Sequence, residues 1–166
     1  MKKKYWLLSL TLFFVHAQSY GQGHEKLHVI KLGVDGFFYS LELDVSNKLS
    51  LNFEVGGSIG LASKKVSLNP VVQLEPRYYY NLGNKSNTEI NHTKATSFIC
   101  ITTGIYPNFI FNNQRTSPIF VVPKWGIKKQ ISNHFLLEFM IGGGFITHID
   151  GLRFQPGLNL RFGYIF

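Results

Sequence analysis

Through most of this chain, apolar residues recur at every second position, in segments bounded by turn-forming residues. A period of two is the mark of a β-strand with one apolar face. The last segment shows it most clearly: Leu158, Leu160, Phe162, Tyr164 and Phe166 alternate with Asn159, Arg161, Gly163 and Ile165. Turn signals divide the chain into about eight such segments, with approximate spans 27–35, 37–45, 48–61, 70–82, 96–111, 118–130, 134–148 and 154–166. The breaks include Asp35-Gly36, Ser46-Asn47-Lys48, Ser132-Asn133 and Asp150-Gly151, where Gly and Asn tolerate the positive φ of hairpin turns. Residues 27–45 can be read as a hairpin broken at Asp35-Gly36 or as one long bent strand. No helical period survives for three turns, so the pattern predicts an all-β chain of about eight strands.

The apolar parity reads Ile30, Leu32, Val34; Tyr39, Leu41, Leu43, Val45; Leu49, Leu51, Phe53, Val55; Val72, Leu74, Pro76, Tyr78, Tyr80; Ile99, Ile101, Ile105; Ile119, Val121, Pro123, Trp125, Ile127; Phe135, Leu137, Phe139, Ile141; and the final set above. It contains no charge. The other parity carries Lys31, Glu42, Asp44, Glu54, Glu75, Arg77, Lys124, Lys128, Glu138 and Arg161, five acidic and five basic. Alternation alone does not say which face is inside, but volume does. An eight-stranded barrel has an interior just wide enough for its inward side chains, packed near a density of about 0.74. The bulky apolar set would overfill it. The charged parity also contains Gly33, Gly56, Gly126, Gly142, Gly144 and Gly163, which leave room for long ionic side chains. Lys or Arg facing lipid costs roughly 2–4 kcal/mol at the bilayer midplane, and the apolar face has none. The expectation is a closed antiparallel up-and-down transmembrane β-barrel with a charge-balanced lumen.

The N-terminus fits export. Lys2, Lys3 and Lys4 precede a short apolar run from Trp6 to Val15, and Val15-His16-Ala17 offers a small-residue cleavage point. This is the pattern of a secretory signal peptide over residues 1–17, with residues 18–166 as the barrel domain. The formal charge of +8 falls to +5 without the three leader lysines. No basic helix or nucleic-acid motif is present, so no nucleic acid is expected as a partner. After the leader no apolar run approaches the roughly 18 residues of a membrane helix. The single cysteine, Cys100, has no partner for an internal disulfide, and no Cys/His spacing suggests a metal site.

Aromatic residues gather toward the segment ends: Tyr78, Tyr80, Trp125, Phe135, Tyr164 and Phe166 at one end, and Phe37, Tyr106, Phe111, Phe120, Phe145 and Phe154 at the other. Two aromatic girdles are expected of a bilayer-spanning barrel. With the leader, the eight amphipathic segments and the terminal Leu-x-Phe-x-Tyr-x-Phe, the chain resembles the small outer-membrane barrels of the OmpA and OmpX type. Glu75-Pro-Arg-Tyr-Tyr-Tyr-Asn81 and Val122-Pro-Lys-Trp-Gly-Ile-Lys128 are similar to motifs of uncharacterised outer-membrane barrel proteins. The resemblance implies residence in the bacterial outer membrane, amid lipid and lipopolysaccharide, as a monomer. It also implies that Phe162, Tyr164 and Phe166 resemble the signal read by the barrel-assembly machinery, with periplasmic chaperones as partners during biogenesis. No peptidoglycan-binding domain follows the barrel, so an anchoring role is not implied. On this orientation the connection Gly83 to Ala95 is periplasmic and unusually long, whereas the outer loops Ser63–Asn69, Asn112–Ser117 and Asp150–Arg153 are short.

The charged parity is read as an ion-pair plug in preference to an ion relay, with Glu75 and Arg77 on one face of one strand as its clearest pair. A lipid A-modifying enzyme would need a serine nucleophile beside a histidine. Phe145-Ile-Thr-His-Ile-Asp150 places His148 near the rim without such a serine, and His24, His28, His92 and His134 form no ligand pair. The Asn84 and Asn91 sequons carry little weight in a bacterial envelope protein. The expectation is a non-enzymatic outer-membrane protein without cofactor or metal, serving envelope integrity or surface interaction. The competing classes are a lipid A-modifying enzyme and a secreted lipocalin-like ligand-binding barrel.

Overall fold

The computed structural model describes residues 26–62, 65–81, 95–107, 117–148 and 151–166. They form β1 (Lys26–Gly33), β2 (Gly36–Asp44), β3 (Leu49–Ala62), β4 (Lys65–Tyr79), β5 (Thr96–Ile105), β6 (Ile119–Gln130), β7 (Phe135–His148) and β8 (Gly151–Ile165). Each strand pairs antiparallel with the next, and β8 pairs with β1 to close the barrel. The leader, His24, most of the 83–95 connection, His92, both sequons and Phe111 lie outside the described residues.

The first hairpin is real. Gly33 pairs with Gly36 across a two-residue turn, and Gly36 takes a φ of 137°. A side chain there would be doubly penalised, because a Cβ would sit 2.0 Å from the Gly57 carbonyl oxygen. Two loops expected to be longer are mostly strand. β4 begins at Lys65 and β8 at Gly151, so only residues 63–64 and 149–150 separate the paired strands. Polar positions such as Ser67 and Asn69 gave a turn signal, yet they continue the ladder opposite Gly60 and Ser58.

These extensions make the wall uneven. β1 meets β8 only from Gly33↔Arg161 to Val29↔Ile165, plus one bond from Val34 N–H to the Leu160 carbonyl. From Gly151 to Asn159 the β1-facing edge of β8 carries no ladder partner among the described residues. The β3–β4 and β7–β8 hairpins therefore rise past the short β1–β2 turn, at the rim opposite the strand end that holds Phe166.

The pleat sorts the side chains as the parity requires. Every apolar-parity residue is exposed or half-exposed on the outer wall, with Ile99 at 51% and Leu158 at 57%. At the terminal rim the outer aromatics interlock. Trp125 Nε1 donates to Tyr80 Oη at 2.6 Å, and Phe135 lies 5.2 Å from Phe162 and 5.5 Å from Tyr164 between ring centroids. At the other rim the girdle is smaller than expected among the described residues. Phe37, Phe145 and Phe154 face outward, but Phe120 is buried in the lumen and Tyr106 packs on it at 5.1 Å. Phe120 shares its parity with Val122 and Lys124, which forces it inward; position along the strand does not outweigh pleat direction.

The two positive-φ glycines separate backbone strain from crowding. Gly151 also has positive φ, 117°, but nothing lies within 4 Å of a Cβ there. Gly151→Ala should cost about 1–3 kcal/mol from backbone strain alone, and Gly36→Ala clearly more. Urea titration of the folded barrel, followed by heat-modifiable gel mobility, checks the order; equal losses would contradict it.

Candidate functional site

The lumen is organised around buried charge. Arg77 of β4 is fully buried and reaches three strands. Its Nη2 donates to Glu75 Oε2 at 2.5 Å, its Nη1 to Glu138 Oε2 at 2.8 Å, and Glu42 lies 3.5 Å away. From Glu138 the chain of pairs passes to Lys31 at 3.2 Å and on to Glu54 at 2.7 Å. Arg161 of β8 bonds Glu54 at 2.9 Å and Asp35 at 2.5 Å, with Glu138 3.7 Å away. Toward the terminal rim Lys128 closes on Glu42 at 2.6 Å. Nine of the inward charges thus form one connected network spanning all strands except β5.

Neutral groups complete it. Asn52 donates to both Glu54 and Glu75, at 2.9 and 3.1 Å. Gln73 donates to Glu54, Thr102 to Glu75 at 2.9 Å, and Ser50 and Tyr79 to Glu42 at 2.8 and 2.5 Å. Such saturation is what makes burial of ions tolerable, because each unpaired lone pair or proton in a dry interior carries its full desolvation penalty.

Apolar clusters bracket the charges. Phe38, Val71, Phe120 and Val122 lie toward the elevated hairpins; Tyr79, Phe98, Cys100 and Met140 lie toward the terminal rim. Each arginine also stacks on one of these groups, Arg77 over Phe98 at 4.8 Å and Arg161 over Phe38 at 4.2 Å. Cation–π contact of a desolvated guanidinium adds about 2 kcal/mol or more. Cys100 is a packed thiol in this cluster.

Of the ten charged residues expected inside, eight are buried: Lys31, Glu42, Glu54, Glu75, Arg77, Lys124, Glu138 and Arg161. Lys128 is partly exposed yet joined to the network. Asp44 is half-buried at the terminal rim. Asp35 was expected only as a turn residue, and it is the carboxylate that Arg161 grips with both Nε and Nη2. Its neighbour Gly36 was the signal for the hairpin; nothing local indicates that the turn folds back over the lumen. Asn52, Gln73 and Tyr79 share the inward parity and could have been read from it. Phe162 and Tyr164 lie on the outer face of the closing strand, and Phe166 directly follows it, exposed, with its N–H donating to the His28 carbonyl.

Compared with protein-family models and with curated proteins, the chain matches none. Among solved structures it is similar to the N-terminal beta-barrel domain of Pseudomonas aeruginosa OprF, with a TM-score of 0.52 at 12% identity. The match covers 85% of this chain and 95% of that one. At this identity the likeness concerns the fold alone, a closed antiparallel β-barrel.

Arg77→Met should lower stability by about 3–5 kcal/mol, the cost of stranding buried partners. Lys128→Met should cost less, since Glu42 keeps Ser50 and Tyr79 and lies nearer the rim. Urea unfolding of both variants against the parent checks the ranking.

Proposed function

We propose that this chain is an integral outer-membrane β-barrel protein without enzymatic activity, contributing to envelope integrity or surface interaction. The observation that carries this is the inversion of the barrel: large apolar side chains exposed on all eight strands, and charges buried within. Soluble monomers rarely expose contiguous apolar patches beyond a few hundred Å². Here such a surface encircles the molecule, and a lipid environment removes the cost. Strand lengths of 8 to 15 residues suit a tilted crossing, which needs about 9–11. The charged groups of the central network are committed to one another, which supports a structural plug over solute passage or catalysis.

Backbone satisfaction supplies a boundary. Hydrocarbon cannot satisfy a bare strand edge, so the β8 stretch from Gly151 to Asn159 extends past the hydrocarbon and the β1–β2 turn lies near its limit. Phe162, Tyr164 and Phe166 on the strand that closes the barrel serve as the assembly signal. The chain reaches the membrane behind its cleaved leader, with chaperones and assembly machinery as transient partners, and stays monomeric with no nucleic-acid partner.

An arginine scan tests the placement in lipid. Ile101→Arg, at the middle of β5, should destabilise the barrel in lipid vesicles by roughly 2–4 kcal/mol, and Leu152→Arg, at the elevated hairpin tip, by about 0–1 kcal/mol. Recovery of the chain as a freely soluble periplasmic protein without detergent would overturn the membrane assignment. Phe166→Ala should reduce the heat-modifiable, membrane-assembled fraction in cells; unchanged assembly would remove its role as a signal.

A further inference from the structure

Between the elevated hairpins the lumen opens into a cavity of about 240 Å³. Phe38, Val71, Tyr106, Phe120 and Val122 give it an apolar, largely aromatic wall; Asp35, Lys124, Gln155, Asn159 and Arg161 give it a polar one. Three groups on the polar wall are left wanting. Asn159, 6% exposed, donates from Nδ2 to Asp35 Oδ2 at 2.5 Å. A carboxylate only accepts, so this bond fixes the amide and leaves Oδ1 buried without a partner. Gln155 Oε1 is likewise buried and unpartnered. Lys124, 8% exposed, has neither a hydrogen bond nor a carboxylate within 4 Å among the described residues. Of the three charged residues lining the cavity, Asp35 and Arg161 pair with each other, and Lys124, attracted across a longer distance by Glu75 of the network, is the one without a contact partner.

The position of Lys124 is built into the wall. Lys124, Gly142 and Gly157 are successive cross-strand partners on β6, β7 and β8. A Cβ at Gly142 would lie 2.9 Å from Lys124 Cγ, and one at Gly157 3.0 Å from Lys124 Cε. The two glycines hollow a trough in which the lysine stem lies, and Lys124 and Gly157 both line the cavity.

A complementary ligand offers an anionic oxygen to Lys124, hydroxyl donors to two amide oxygens, and a C–H face to the aromatic wall. The volume falls below the roughly 300–1,000 Å³ of pockets for drug-sized ligands, which limits it to a single ring. We propose that this cavity binds an acidic monosaccharide, a sugar ring bearing a carboxylate, either free or at the end of a longer glycan. The site goes beyond the structural role above and does not depend on what surrounds the outer wall.

The test is titration of the detergent-folded barrel, followed by NMR, with sodium glucuronate, a glucuronate-terminated disaccharide, glucose and inorganic phosphate. Saturable shifts with glucuronate or the disaccharide are expected, and which of the two binds assigns the free sugar or the glycan terminus. Lys124→Met should weaken that binding about tenfold or more, the loss of a charge-assisted hydrogen bond, while Lys128→Met leaves it unchanged. Should Lys124→Met fail to fold, intermolecular NOEs from glucuronate to the Tyr106 and Phe120 rings of the unmodified protein decide instead. Absence of saturable shifts with either acidic sugar, equal binding of glucose or phosphate, full binding by folded Lys124→Met, or NOEs elsewhere on the barrel would each overturn the proposal.

Discussion

A fully buried guanidinium in an eight-stranded lumen survives only if carboxylates surround it, and Arg77 sets that condition for the whole interior. An isolated ion in a medium this dry carries a desolvation penalty of several kcal/mol. Glu75, Glu138 and Glu42 meet the requirement for Arg77, but three carboxylates on one cation would overcompensate it. Lys31, Arg161 and Lys128 restore the balance, and Asp35 then balances Arg161. The pairs propagate from one to the next, and the nine members, four cations and five carboxylates, reach neutrality only with Lys124, whose strongest attraction is to Glu75. The resulting network ties β1, β2, β3, β4, β6, β7 and β8 together across the barrel, in addition to the ladders that tie neighbours along its wall.

The pleat makes this interior compatible with an apolar exterior. Each strand carries one kind of residue in and the other out, so a one-residue slip would turn Arg77 or Glu138 outward and drive Tyr78 or Leu137 into the lumen. Register is therefore enforced twice, by charge pairing within and by exclusion of charge without. Phe98 and Phe38, placed under the two arginines, complete the arrangement by letting guanidinium planes rest on rings in place of water.

The same contrast explains what could be read from the chain beforehand. Parity is local: alternation put Lys31, Glu54, Glu75, Arg77, Glu138 and Arg161 on one face, and the volume of an eight-stranded interior turned that face to the lumen. Partnership is not local. Arg77 and Glu138 are 61 residues apart, and Arg161 and Glu54 107, so who meets whom follows from the stagger of the closed sheet. Asp35 was legible as a turn but not as a ligand of Arg161, because its role depends on how far β3 and β8 rise beside it. Phe120 was misplaced in a girdle because strand position was weighed above pleat direction. Ser67 and Asn69 read as loop because a solvent-facing strand tip has the polarity of a turn.

Lys124 shows how far the sequence balance carries. Five acidic and five basic residues on one parity suggested a partner for every ion, yet the fold takes Asp35 into the network and leaves Asp44 at the rim. Lys124 is drawn electrostatically to Glu75 yet has no carboxylate within 4 Å of its ammonium among the described residues, and its stem lies over Gly142 and Gly157. Shortening it would relieve the desolvation, and restoring a side chain at either glycine would deny it the trough. The wall keeps the long cation and the space for it together, beside two amide oxygens that also lack partners. These three groups border the open cavity, where an anion bearing hydroxyl groups would give each of them a partner that the network does not supply.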